Sequence, residues 1–160
     1  MKRPRGEDGM RFRHFIFHTY FLFRRPMTLG VRAVILDEKK NSVFLVKHTY
    51  VPGWQLPGGG VERGETFGQA LEKELREEAN IVLKGPAKLF ALYKNAHASP
   101  RDHVALYICR EFEQTGPRLP DLEIASCGFF PLDDLPEGTT ASTKRRLQEV
   151  LHDLEPLPFW

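Results

Sequence analysis

The sequence predicts a mixed α+β sandwich, and three observations predict it. Runs rich in β-branched and aromatic residues fall in one group before and one group after a long helical pattern. That pattern runs from Glu65 to Ala79 without a proline, and repeats Phe67, Ala70, Leu71 and Leu75 at helical spacing. A second helical pattern closes the chain, and no internal repeat interrupts the order of strands, helix, strands, helix.

The elements follow in order. Residues 28–37, TLGVRAVILD, and 42–48, SVFLVKH, flank the charged turn EKKN and read as a β-hairpin. Residues 51–60, VPGWQLPGGG, hold two prolines and four glycines and read as a loop, with Trp54-Gln55-Leu56 a short strand inside it. The first helix is expected over about 65–79, with Glu65 or Thr66 available as its cap. Two further strands, 88–94 and 103–112, are separated by the polar loop NAHASPRD, and a fifth, 126–132, precedes the turn DDLPEG. The closing helix is expected over about 140–153, where Thr and Ser supply the cap.

A chain of 160 residues with 41% apolar and 28% charged residues is long enough to bury one core. Its formal net charge of +2 argues against a dedicated nucleic-acid binder, whose phosphate contacts demand a concentrated basic surface. Cys109 and Cys127 are too few for a disulfide framework, so both are expected reduced, in a cytoplasmic protein. Residues 1–27 read as an extension, with an aromatic run from Phe12 to Phe23, ahead of a single domain over 28–160. Arg13, His14 and His18 break that run, and it is shorter than a membrane span, so no transmembrane helix is expected. An aromatic face packing on the domain or on a second subunit is the favoured reading, which leaves a homodimer open. An interfacial anchor flanked by Arg11, Arg13, Arg24 and Arg25 is the alternative.

The acids of KELREEAN, residues 73–80, carry the chemistry. With Phe67 at zero and about 100° per residue, Glu74 and Glu78 fall at about 340° and 20°, inside the apolar arc. Glu77 lies on its edge at about 280°, while Gln69, Glu72, Lys73 and Arg76 fall on the solvated side. Two carboxylates one turn apart, about 6 Å, repel by roughly 3 kcal/mol at an effective dielectric of about 20. The carbonyl end of the helix adds about 0.3–1 kcal/mol against Glu77 and Glu78. A divalent cation would offset both costs, and oxygen-only donors favour Mg²⁺ or Mn²⁺. A solvated acidic face paired with nearby lysine and arginine is the competing account, and the inward phase of Glu74 and Glu78 weighs against it. The loop LPGGG delivers the chain into this helix, and its glycines let backbone approach a ligand closely.

These residues resemble the Nudix box, G-x5-E-x7-R-E-U-x-E-E-x-G-U with U a bulky aliphatic. Gly59, Glu65, Glu74, Leu75, Glu77, Glu78 and Ile81 fit at the required spacing within residues 59–81, while Lys73 replaces the arginine and Asn80 the second glycine. The later GFFPLDDLP is also similar to the family. The resemblance implies a Nudix-type α/β/α sandwich with a mixed sheet. It also implies divalent-metal-dependent hydrolysis of a phosphoanhydride in a nucleoside diphosphate linked to another group, a nucleotide sugar or a nucleoside triphosphate for example. By position, Glu74 and Glu78 are the expected metal ligands, Glu77 a further ligand or base, and the Gly59 carbonyl a backbone ligand. Gly58 and Gly59 are expected to face substrate, and Glu65 to support the loop. Glu123, in LPDLEIAS, is the later-loop candidate for general base. Lys47 is a candidate phosphate contact and Trp54 a candidate stacking surface for a base, with anchoring on the core as its alternative. Asn80 is expected as a left-handed cap. Lys73 keeps the charge but loses the fork that holds a carboxylate from two nitrogens. A nucleotide-binding module that has lost turnover, and an RNA 5′-end pyrophosphohydrolase, are the alternative functions.

Overall fold

The computed structural model describes Tyr20, Arg24 and residues 26–160, so the expectation for the aromatic run 12–23 lies outside the described residues. Within residues 26–160 eight strands and two helices follow in the order β1 (Thr28–Asp37), β2 (Ser42–His48), β3 (Trp54–Gln55), α1 (Phe67–Ala79), β4 (Ile81–Leu83), β5 (Lys88–Lys94), β6 (Asp102–Cys109), β7 (Phe112–Gln114), β8 (Ile124–Pro131) and α2 (Ala141–Leu151).

One mixed sheet dominates. β1 runs parallel to β6 over eight registered pairs from Thr28↔Asp102 to Ile35↔Cys109, and β5 adds antiparallel to the far side of β6. β2 pairs antiparallel with β8 along its whole length. Alternation along β1 then sorts two cores. Val31, Ala33 and Ile35 face α1 with Phe44, Val46, Leu71 and Leu75. Val34 and Leu36 face the other way, with Val43, Leu45, Leu106, Leu147 and Val150, against α2. The result is helix, sheet, helix, the sandwich expected from the sequence.

The β1–β2 pair differs from a simple hairpin. The two strands pair only beside their turn, at Leu36↔Val43 and Asp37↔Ser42, and then splay apart. The following chain fills the opening. β3 pairs with β2 at Val46↔Gln55 and Lys47↔Trp54, after which the glycine segment bonds to β1. Val31 N–H donates to the Gly59 carbonyl at 2.9 Å, Ala33 N–H to Pro57 at 2.9 Å, and Val61 N–H to Leu29 at 2.8 Å. The expected loop is therefore a plug wedged into the sheet.

Two boundaries also differ. The expected strand 103–112 is two strands, because the chain bends at Arg110–Glu111 and β7 leaves the main sheet to pair with β4. Apolar alternation runs on through the bend because Phe112 stacks on Phe129 in the α1-side core, with ring centroids 5.7 Å apart. β4 itself follows α1 at once and is too short to show a period in sequence.

Behind α2 a polar cluster is buried. Arg146 is fully buried, its guanidinium 4.2 Å over the Tyr93 ring, and it donates to Glu149 Oε1 at 2.7 Å. Tyr93 Oη donates to Glu149 Oε2 at 2.7 Å. Burial and the Glu149 carboxylate both push the Tyr93 hydroxyl up from its usual range, so it stays a donor. Arg146→Ala leaves the Glu149 carboxylate buried and unpaired, and the expected cost is about 3–5 kcal/mol in urea unfolding. Replacing the pair together by Arg146→Met and Glu149→Leu is expected to cost less than the single change.

Candidate active site

α1 carries the acids because its ends are fixed. Thr66 caps it in a reciprocal box, accepting from Gln69 N–H at 3.2 Å while its own N–H donates to Gln69 Oε1 at 2.9 Å. Asn80 ends it in the left-handed conformation, φ +53°, as expected for the residue standing in place of glycine. Its side chain does more than a glycine could, donating to the Pro117 carbonyl at 3.1 Å and so tying the loop before β8 to the helix end.

The helix phase holds. Glu78 is buried, 8% exposed, Glu74 is half-buried, and Glu77 and Arg76 are exposed. Glu78 is gripped by the plug, its Oε2 accepting from Gly58 N–H at 2.7 Å. Gly58 has φ +138°, and a Cβ there would stand 2.1 Å from the Val31 carbonyl oxygen, so only glycine can present that N–H. A Cβ on Gly59 would meet the Glu74 carboxylate, 2.4 Å from Oε1. The glycines thus let two acids press against backbone. The Gly59 carbonyl already accepts from Val31 N–H and keeps one lone pair for any other partner.

A cleft of about 290 Å³ is lined by Glu74, Glu77, Glu78, Arg118, Asp121 and Glu123. Five carboxylates thus face one cation, and Arg118 is already engaged. Its Nε donates to the Glu77 carbonyl at 2.6 Å, and its other nitrogens bond Leu119 O and the Asp121 carboxylate. Asp121 Oδ1 accepts from the N–H groups of Glu123 and Ile124, at 2.9 and 2.8 Å, which turns Glu123 into the cleft. The Ile124 N–H first, then Arg118, hold the Asp121 carboxyl down at about 2.

Burial pushes the Glu78 carboxyl up to about 7, against the Gly58 N–H and Arg32, which pull it down. Burial and the neighbouring Glu77 charge raise Glu74 in the same direction. His48, absent from the sequence candidates, lies on the same sheet face with Nε2 3.5 Å from Glu78 Oε1, and neither ring nitrogen has a hydrogen-bond partner. Burial first, then Arg32, lower its basicity, which weakens any ion pair with Glu78. Arg32 is likewise absent from those candidates. It lies beneath the plug, donates to the Leu56 carbonyl at 3.0 Å, and bears electrostatically on Glu74, Glu78 and His48. A lone charged residue within an apolar strand run was the only signal in the sequence.

The other candidates are placed differently. Lys73 reaches none of the cleft acids. Its ammonium stands 3.0 Å from Glu65 Oε1 and 3.3 Å from Glu62 Oε1, so it fastens the loop ahead of the helix. Lys47 is exposed, on the sheet face opposite Phe44, Val46 and Glu78, because strand alternation sends it there. Trp54 packs edge-on against Phe130, centroids 4.7 Å apart, in the α2-side core, so the anchoring alternative describes it.

A second cleft of about 640 Å³ opens on the α2 face, lined among others by Arg32, Gln55, Gly59, Asn95, His97 and Trp160. Its Gly59 stands against the Glu74 carboxylate of the acid cleft, so the two clefts adjoin at the plug.

Buried, hard oxygen donors lacking compensating charge fit a divalent cation. Among the described residues no three acids stand as a finished ligand cluster. Of the acids lining the cleft, Glu78 is held by the Gly58 N–H, Glu74 is half-buried against Gly59, and Glu77 and Glu123 are exposed.

The mixed sheet between two helices matches solved structures of hydrolases. The NUDIX domain model matches residues 26–151, and the chain belongs to the Nudix hydrolases. The ADP-ribose pyrophosphatase of Methanocaldococcus jannaschii is 33% identical over 122 residues, 74% of this chain and 69% of that protein. Among solved structures, the MutT NUDIX hydrolase from Burkholderia pseudomallei superposes with a TM-score of 0.65 at 29% identity, covering 77% of this chain and 97% of that one. An ADP-ribose pyrophosphatase from Streptococcus suis gives 0.60 at 29% identity, covering 78% and 91%. Among the described residues no helix is long and apolar enough to cross a membrane.

The Glu78 shift sets a pH dependence for the metal-free protein. Its carboxyl titrates near 7 when folded and near 4.5 when unfolded, so its stabilising contribution is complete below about 4.5 and is lost as pH rises through 7. The loss amounts to about 3 kcal/mol. His48, with its lowered value, acts with the opposite sign below about 6.5. The difference between wild type and Glu78→Gln in chelator isolates the carboxylate. Unfolding free energies are expected to converge near pH 4.5 and to favour the glutamine variant by up to about 3 kcal/mol at pH 8.

Proposed function

We propose that this enzyme hydrolyses the phosphoanhydride of a nucleoside diphosphate joined to a second moiety, with Mg²⁺ or Mn²⁺ held by Glu74 and Glu78. A compound of the ADP-ribose type is the favoured substrate, supported by the relatives of that activity. The observation that carries the reading is the junction of the two clefts at the plug. The larger has room for a nucleoside, and the smaller gathers carboxylates where the diphosphate would arrive.

In this reading Arg32 and the exposed backbone of the plug hold the diphosphate across the wedge. Arg32 supplies a fixed positive charge beside Glu74 and Glu78, and its planar fork suits a phosphate. A divalent cation bound to the acids would neutralise charge on the diphosphate and lower the pKa of the attacking water. Glu123 takes the proton from that water. It is exposed, lines the acid cleft, and is aimed by the turn that Asp121 and Arg118 make. Glu78, gripped by Gly58 and buried, is the anchored ligand instead, and Glu77 assists from the rim.

Incubation of purified protein and Mg²⁺ or Mn²⁺ with ADP-ribose, nucleotide sugars, nucleoside triphosphates and triphosphorylated RNA tests this. Release of AMP from ADP-ribose at the highest kcat/KM is expected. Glu78→Gln is expected to lower kcat by roughly a hundredfold or more, beyond what loss of an outer-shell partner causes. Glu123→Gln should lower kcat with little change in KM. No turnover of any compound, or a Glu78→Gln variant as active as wild type, would sink the proposal.

A further inference from the structure

The larger cleft has a wall that lies beyond the family-wide domain. The NUDIX match ends at residue 151, and residues 157–160, LPFW, return to the sheet after it. They meet the free edge of β5 at a single parallel bridge. Lys94 N–H donates to the Pro158 carbonyl at 2.9 Å, Trp160 N–H donates to the Lys94 carbonyl at 3.1 Å, and Lys94 bridges Phe159 in parallel. Side chains from α2 fasten the segment. Arg146 donates to the Phe159 carbonyl at 2.9 Å, Arg145 to the Trp160 carbonyl at 3.3 Å, and Leu157 N–H donates to Glu149 Oε1 at 3.3 Å.

The buried Arg146–Glu149–Tyr93 cluster therefore has a use besides packing α2. It fixes Trp160, whose ring meets Tyr93 at 5.5 Å and 79°, with the Arg146 guanidinium 5.6 Å from its centroid. The indole is backed by core on this side and remains half-exposed, lining the larger cleft. A rigid aromatic surface with one side supported and another open is suited to stacking. Polar groups stand beside it. Asn95 Nδ2 donates to Asp102 Oδ2 at 2.8 Å, which orients its Oδ1 as an acceptor for a ligand, and Gln55 and His97 line the same cleft. Amide and imidazole groups around an aromatic wall match the hydrogen-bonding edge and flat face of a nucleobase.

We infer that Trp160, presented by the C-terminal segment docked on β5, is the surface on which the nucleobase of the substrate stacks, and that this segment determines substrate specificity. The inference rests on the proposed nucleotide substrate but not on turnover. Binding is read first, by titrating metal-free protein with AMP while following indole fluorescence. Saturable quenching is expected in wild type. Trp160→Leu, which keeps apolar volume against Tyr93, should abolish the quenching and weaken AMP binding, measured calorimetrically, by roughly five- to a hundredfold. Trp160→Phe retains a ring and should retain most of the affinity, and thermal melts report that each variant is folded.

Kinetics then compare ADP-ribose with the same diphosphate carrying an abasic ribose in place of the nucleoside. Trp160→Leu should raise KM for ADP-ribose by a similar factor, with kcat and the KM for the abasic compound nearly unchanged. Unaltered AMP affinity in Trp160→Leu, or an equal rise in KM for both compounds, would overturn the inference. So would a Trp160→Phe variant as weak as Trp160→Leu. Quenching through Trp160 without hydrolysis of either compound would defeat the proposed reaction and leave the stacking site standing.

Discussion

The hydrogen bond from Gly58 N–H to the Glu78 carboxylate joins two parts of the fold that neither could place alone. One part is the split between β1 and β2, which creates a gap wide enough for a third segment of chain. The other is α1, whose apolar stripe packs on the sheet and brings an acid toward that gap. The plug is held on one side by β1 backbone and grips the helix on the other. Its glycines have a steric reason, because a Cβ at Gly58 would collide with Val31 and one at Gly59 with Glu74. The cleft exists because backbone comes this close to carboxylates.

Charge balance follows from the same constraint. Helix geometry and the loop before β8 collect five acids, and the one arginine among them is spent on the Glu77 and Leu119 carbonyls and Asp121. The Gly58 N–H and Arg32 offset only part of the cost of burying Glu78, and burial pushes its carboxyl up to about 7. A site arranged so is less stable empty and charged than it would be with a cation present. Arg32, beneath the plug, lines the larger cleft and bears electrostatically on Glu74 and Glu78, and its placement depends on β1 continuing past the point where β2 turns away.

The two departures from the Nudix pattern have separate structural readings. Lys73 does not hold the cleft acids at all. It pairs with Glu65 and Glu62, so the question of a fork on Glu74 or Glu78 does not arise, and a single ammonium between two carboxylates suffices to fasten the loop. Asn80 supplies the left-handed turn that glycine would, and adds a bond to Pro117 that steadies the loop carrying Arg118, Asp121 and Glu123.

Much of this was legible in the sequence. The strands 28–37, 42–48 and 88–94, both helices with their caps, and the inward phase of Glu74 and Glu78 follow from local periodicity and capping chemistry, which act within a few residues. Side-chain position along one element is a local property, so a helix phase read from the chain survives folding. What the sequence by itself could not fix was everything that depends on two distant segments meeting. His48 and Arg32 looked like solitary polar residues in strands, and Trp54 and Lys47 like site residues, until strand pairing assigned each to a sheet face. Trp160 became a cleft wall only because the segment after α2 returns to β5. The sequence determined which residues can bear charge, turn or pack, and the tertiary structure decided which of them meet, because contacts across the sheet are set by strand register and splay rather than by spacing along the chain.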